Sequence, residues 1–556
     1  MSRRHNKQRR PALAAADPRR DRGQSSGRPN GSSASNASSS ASPATGLSRT
    51  EWILWALSLL VVFACLATWF QFDFGEVMGY HSMFARALLN GRLSVDITPD
   101  QVRLMDMIRY QGRYYLQWGP APGLVHLIPA VFGLNLSDRV GCLLAGWASS
   151  LLFLYITLLL RQRHFPTLPK WVCLLSFWMF ALGSTTALVG LRPTVYNETI
   201  ALATLFVLFA FVAFLRFQGQ PSVRWALLCG VGLALAATTR ITLIICGATF
   251  FAGLAAVLVI RKHDLRPALL KLGAFALPLL LSIGVQLGYN YARFGSPWAY
   301  FPSYDLDTST FTPVFNIRRV PENFRHYLLA MPEFSNDFPW VSHRGSQPIE
   351  HVFHAEAMSS LFLATPVVLL GLVALRLWRR KADYPANLKW TVVVAGGSGL
   401  LVFSSLLLFR SASRRYMHDF LPLLLVVAFV GVALLWKQGS RWKRWVAPAL
   451  VLLVYMTAYH VHLAFTHSFV SLPSDLNVVR AVADFSPLVR LVLPGPNLDR
   501  EEAVARNDLG TLYLRERRFH LALSEFQRAE ELMPDSDLIQ KNVRLAERLV
   551  GQSSSP

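Results

Sequence analysis

Eleven apolar runs, each about the length that crosses a hydrocarbon core as a helix, constrain this chain more than any other feature. They fall near residues 52–70, 138–160, 171–191, 196–215, 223–239, 241–260, 269–290, 358–377, 389–409, 418–436 and 445–464. In lipid every backbone N–H and C=O must find its partner within the protein, so only helices and closed β-barrels can span it. The alternating pattern of barrel strands is absent. The expected fold class is therefore all-α: a polytopic helical membrane protein with about eleven transmembrane helices over residues 51–464. Residues 120–134 are apolar but short and carry Pro and Gly. Counting them as a span would invert every loop that follows, so they are expected to be interfacial or re-entrant.

The distribution of charge orients the runs. The chain carries a net +22 with only 16% charged residues, which could suggest a nucleic-acid partner. The positive charge, however, collects in the first fifty positions and in alternate short loops, the signature of cytoplasmic loops in a membrane protein. No nucleic-acid partner is expected. Residues 1–50, rich in Arg, Ser, Ala and Pro, cannot bury a core and read as a disordered basic cytoplasmic tail touching anionic membrane lipids. The expectation is a multi-pass protein of the cell (inner or plasma) membrane with its N-terminus cytoplasmic and its C-terminus extracytoplasmic. Two long loops, 71–137 and 291–357, then share the outer face. Both are rich in Tyr, Trp, Phe and Pro, side chains suited to the lipid–water boundary. The five cysteines all lie in apolar runs without metal-like spacing and read as small core residues.

Beyond a linker at 465–499, the segment "AVARNDLGTLYLRERRFHLALSEFQRAEELMPDS" (503–536) resembles a tetratricopeptide repeat. Leu509, Gly510, Tyr513, Ala522, Phe526, Ala529 and Pro534 occupy signature positions of that family, and Arg506 stands where the family prefers a large apolar residue. The implied structure is a helical hairpin over 500–550, with 537–550 as a third, amphipathic helix. One repeat buries too little alone, so it must pack on the membrane domain, on a protein partner or on a second copy.

The first outer loop contains "ARALLNGRL" (85–93) and then "YQGRYYLQWGPAPGLVHLIPAVFG" (110–133). Further on come "ATTRITL" (237–243), "YNYARFGSP" (289–297) and "RRYMHDFLP" (414–422). In this order the segments resemble membrane-embedded glycosyltransferases of the C superfamily, closest to a bacterial branch with a comparable loop. The resemblance implies a polyprenyl-phosphate-linked sugar as donor and a glycan, lipid or protein acceptor outside the cytoplasm, joined by inverting displacement at the anomeric carbon. Such chemistry needs a carboxylate to take the acceptor's proton and cations to stabilise the departing phosphate. The resemblance points to Asp73 or Glu76 as that base. They are separated by two residues, where many members of the superfamily carry an adjacent acidic pair. Asp106 is a further catalytic candidate, as an acceptor contact or a contact to a divalent metal, the one cofactor considered; a salt bridge to Arg103 or Arg109 is its alternative role.

Arg293, Arg240 and Arg415 are the candidates for holding the donor phosphate; Tyr114, Tyr115 and Trp118 are candidates for stacking on the sugar or anchoring the lipid tail. Each has a plainer alternative: an interfacial anchor for Arg293, a short outer turn for Arg240, pairing among Arg414, Arg415 and Asp419 for Arg415. His351 and His354 at i, i+3 spacing are too few for a metal site. Two other functions compete with sugar transfer. A non-enzymatic scaffold displaying the tail would explain the hairpin but not the two polar loops. A transporter would need ionisable residues or broken helices at mid-membrane, and the runs are nearly uncharged except at their ends.

Overall fold

The computed structural model describes residues 46–70, 72–75, 79–96, 107–299, 315–334, 341–342, 354–355, 359–379, 384–437, 443–466 and most of 503–553. Residues 1–45 of the expected disordered tail, the greater part of the 465–499 linker and much of the second long loop lie outside the described residues, as do Glu76, Asp106 and His351, whereas Arg49 and Thr50, expected in the tail, already belong to the first helix.

Helices dominate, and each of the eleven expected runs is helical along most of its length. They are α1 (Arg49–Ala67), α4 (Asp138–His164), the pair α5 (Lys170–Ala181) and α6 (Thr185–Leu191), α7 (Val195–Gly219), α8 (Val223–Thr239), α9 (Cys246–Ile260) with a preceding 3-10 turn Ile241–Ile245, α10 (Leu265–Phe294), a segmented run over 361–379, α11 (Ala386–Leu408), α12 (Leu421–Trp436) and α13 (Lys443–Thr466). Between α1 and α4 stand α2 (Tyr80–Leu89) and α3 (Ala121–Val131). Among the described residues seven helices are long and apolar enough to cross a membrane, or eight with α5 and α6 taken as one span bent by 55°. The chain is a polytopic helical membrane protein.

Short polar caps start these helices. Ser48 closes a capping box with Glu51, and Ser137, Thr194 and Ser222 each accept an N–H from the first turns of α4, α7 and α8. Such caps satisfy donors that the membrane boundary would otherwise leave unpaired. The central helix is α7, with 72% of its apolar window buried, against 17% for the peripheral α1. Around it α4, α8, α11 and α12 supply a core of Leu, Val, Phe and Ala.

One sequence expectation changes here and another stands. The run at 358–377 is not one α-helix: a turn at Leu361–Ala364 gives way to a ten-residue 3-10 segment, Pro366–Leu375, then to Arg376–Arg379. Thr365, just before Pro366, lies outside the α region at φ −140° and ψ 63°, because a residue before proline is pushed out of that region and proline donates no hydrogen bond. The run at 120–134 forms the eleven-residue α3, too short to span and in keeping with a re-entrant or interfacial role.

Both long loops meet one end of the bundle. Ser137 Oγ donates to Phe74 O, and Arg293 at the end of α10 donates to Leu116 O. Asn323 Nδ2 donates to the carbonyls of Leu406, Leu407 and Phe409 where α11 ends, and His354–Ala355 pairs in parallel with Ser411–Ala412. The tail forms two helices, α14 (Phe519–Leu532) and α15 (Asp537–Ser553), preceded by helical turns among residues 503–514. Its core contains Leu509, Tyr513, Ala522, Phe526 and Ala529, with Ile539, Val543 and Ala546 from α15.

Candidate functional site

The polar segment of the first loop folds as a two-stranded hairpin, β1 (Met107–Tyr110) against β2 (Arg113–Leu116), with Tyr110 opposite Arg113. Gln111 and Gly112 both take positive φ, the backbone of a two-residue hairpin turn matched to strand twist. Beyond β2 the chain runs through Gln117 and Trp118 into α3. Gly119 lies so close to Thr238 O at the end of α8 that a Cβ there would overlap it. That contact brings Trp118 against the membrane helices.

Trp118 begins a chain of aromatic and cationic contacts. Its ring meets Tyr196 edge-on at 5.0 Å, and Gln117 Nε2 donates to the Tyr196 hydroxyl at 3.2 Å. The Arg415 guanidinium lies 4.1 Å above the Tyr196 ring and 5.9 Å from that of Tyr416. Arg240 sits 4.9 Å from Tyr416 on its own account. Its Nε and Nη2 both donate to Asp419 Oδ2, at 3.0 and 2.7 Å. Thus Trp118, Arg240 and Arg415, expected from three separate sequence segments, come together around Tyr196 and Tyr416. Arg415 and Tyr416 lie in a 3-10 turn, Arg414–Asp419, that leads into α12. Arg240 caps the end of α8.

Arg293 belongs to a different environment. It is buried, with one Nη donating to Leu116 O and the other to Asn290 Oδ1 at 2.7 Å. Its guanidinium lies 3.7 Å from the Tyr289 ring and 4.5 Å from that of Phe294. It seats the hairpin on α10. Tyr115 packs edge-on against Phe294 at 5.4 Å, whereas the backbone of Tyr114 bridges to Val95. Asp73 is exposed and accepts the Gly75 N–H at 2.8 Å.

Behind the aromatic chain lies a buried polar cluster that sequence reasoning did not single out. Ser82 Oγ is 3.1 Å from His126 Nδ1 and donates to Leu136 O, and His126 Nε2 is 2.6 Å from Glu198 Oε1. His81 Nε2 contacts Thr199 Oγ1 at 3.1 Å, with its ring 5.9 Å from Trp118 and 5.6 Å from His126. Gly141 leaves room for Glu198, whose carboxylate would overlap any Cβ there. Burial, followed by the neighbouring His126, holds the His81 imidazole well below its usual range. Glu198 stands in the first turn of α7, where an acid ordinarily serves the helix dipole. The readable signal was an ionisable residue inside an apolar run. Among the described residues no group of three or more His, Cys, Asp or Glu side chains is arranged to hold a metal ion.

The chain matches no protein-family model and no curated protein. Among solved structures it is similar to ArnT from Cupriavidus metallidurans bound to undecaprenyl phosphate, with 17% identity and a TM-score of 0.43 over 91% of this chain and 79% of that one. It is also similar to the archaeal oligosaccharyltransferase AglB from Archaeoglobus fulgidus in complex with an inhibitory peptide and a dolichol-phosphate. There the identity is 12% and the TM-score 0.41, over 75% of this chain and 56% of that one. These likenesses concern the course of the backbone alone.

Proposed function

We propose that this protein is a membrane glycosyltransferase that moves a sugar from a polyprenyl-phosphate carrier to an acceptor hydroxyl at the outer membrane face. The observation that carries the reading is the convergence of Trp118, Arg240 and Arg415 around Tyr196 and Tyr416. Two guanidiniums beside aromatic faces suit a ligand that is part phosphate and part sugar. Arginine's planar donors match phosphate oxygens, and Trp and Tyr offer a flat apolar surface with a polar edge.

In the proposed reaction the acceptor oxygen attacks the anomeric carbon as the bond from that carbon to the phosphate oxygen breaks. The bonding electrons leave with the phosphate, and configuration at the carbon inverts. The acceptor proton passes to a carboxylate, Asp73 or Glu76, with Asp106 next in line. Arg240 and Arg415 stabilise the negative charge as it grows, which is worth most where water is excluded. Asp419 holds two nitrogens of Arg240, so Nη1 is the one an incoming phosphate would meet. Arg293, with both Nη atoms engaged by the protein, takes a supporting role. The sugar and the acceptor are those of the general class. The outer placement of the loops and of the C-terminus belongs to the same proposal.

Mass spectrometry of lipids that co-purify with the native chain and with Arg240→Ala/Arg415→Ala tests this reading. A lipid-linked sugar held by the native protein and lost from the double variant is expected. The same lipids in both preparations, or no phosphate-bearing polyprenyl lipid in either, would remove the phosphate site.

A further inference from the structure

The connection leaving α1 has an uncommon backbone. Trp69, Phe70 and Phe72 all hold positive φ, at 47°, 62° and 55°, a region that bulky side chains seldom enter. Such a conformation persists only where its surroundings over-determine it. The backbone itself closes the turn as at other helix ends: the Trp69 N–H donates to Leu66 O and the Phe70 N–H to Cys65 O. Two further restraints are polar and come from the start of α4: Arg139 Nη1 donates to Ala67 O at 3.0 Å, and Ser137 Oγ donates to Phe74 O at 2.7 Å. Another is apolar. Phe70 and Phe72 are 65% and 58% exposed, whereas Trp69 is buried in the core of the C-terminal hairpin with Tyr513, Phe526 and Val543. Leu66 of α1 and Val461 of α13 flank that contact. Asp73 follows four residues after Trp69 and closes its own turn on the Gly75 N–H.

We infer that Trp69 is the hairpin's intrachain ligand, and that this joint is a clamp through which the C-terminal helices position the first outer loop and with it Asp73. The hairpin needs an apolar surface to cover its core, and Trp69 supplies one. The left-handed turn needs an external hold on a side chain, and the hairpin supplies that. Trp69 is thus a positioning residue: it touches neither donor nor acceptor. The consequence for transfer rests on the function proposed above; the joint itself does not.

The test uses the full chain and hydrogen exchange at the Phe70 and Gly75 amides, which donate to Cys65 O and to Asp73 Oδ1. In the native protein the Phe70 amide should open together with Ala529 in the hairpin, since cooperatively opening units share one rate. Trp69→Ala should speed exchange at Phe70 and Gly75 by about ten-fold or more, and Trp69→Phe should recover most of the protection. Transfer should fall with Trp69→Ala through turnover, with donor binding unchanged, and recover with Trp69→Phe. Exchange at Phe70 unaffected by Trp69→Ala would overturn the joint. So would a native Phe70 amide that opens independently of Ala529, a result that decides the matter even where the alanine variant fails to fold. Exchange that responds as expected in a chain without transfer activity would leave the joint standing and remove the glycosyltransferase reading instead.

Discussion

His126 Nε2 lies 2.6 Å from Glu198 Oε1, and both side chains are 1% exposed. This pair ties α3, the short helix of the first long loop, to the central α7, while the other ring nitrogen of His126 meets Ser82 on α2. One imidazole therefore joins three elements of the site wall. Removing one member of a buried pair takes a close partner from the other, at a cost of about 3–5 kcal/mol. His126→Ala and Glu198→Ala should each lower the unfolding temperature in detergent markedly. A shift no larger than that of an exposed control such as Arg86→Ala would show that the pair contributes little.

Stability should also depend on pH through His81. Burial keeps its folded-state pKa well below the ordinary value near 6.5, so the unfolded chain takes up a proton that the folded chain refuses. The groups facing it are Thr199, Trp118 and His126. A depressed folded pKa gives stability that is complete above the unfolded value and is lost progressively as pH falls below about 6.5. Unfolding temperatures measured from pH 7.5 down to pH 5 should fall more steeply for the native chain than for His81→Gln. Parallel curves would assign the acid sensitivity elsewhere.

Arg293 should behave unlike Arg240 and Arg415. Its guanidinium holds the hairpin carbonyl of Leu116 and packs on Tyr289 and Phe294. Arg293→Ala should therefore loosen β1 and β2, costing about 1–3 kcal/mol for the carbonyl left unsatisfied. Proteolysis within residues 107–116 should accelerate in this variant and stay native-like in Arg240→Ala. Equal protection in both would return Arg293 to the list of phosphate ligands.

Much of this was legible in the sequence, and what was not has a common cause. Apolar length marked the spans, and short length with Pro and Gly marked residues 120–134 as a non-spanning helix, because both are local properties. The segment around Trp118 stood out because its composition contrasts with its surroundings. The pairings of His126 with Glu198 and of Arg240 with Asp419 join residues 72 and 179 positions apart, and no periodicity encodes such contacts. Arg506 is instructive: its departure from the repeat pattern was visible, but its compensation was not. Glu525, fully buried on α14, receives Arg506 Nη1 at 3.1 Å.

That buried pair gives a test within the tail. Arg506→Leu alone takes a cationic partner from the buried Glu525, at about 3–5 kcal/mol, whereas Arg506→Leu with Glu525→Leu should be neutral or stabilising by about 1–4 kcal/mol. Hydrogen exchange across residues 519–532 of the intact protein reads both variants. A double variant as damaged as the single would mean that the charges themselves are needed there.

The most direct measurement is sugar transfer from a polyprenyl-phosphate donor by purified Asp73→Asn, Glu76→Gln and Arg415→Ala, each beside the native chain. One of the two acid variants should lose about 100- to 10,000-fold in turnover, the usual worth of a general base, while still holding donor. Arg415→Ala should lose donor binding and turnover together, because a contact to phosphate strengthens as charge develops. Near-native turnover in all three variants, or no transfer by the native chain with any polyprenyl-phosphate sugar, would contradict the account.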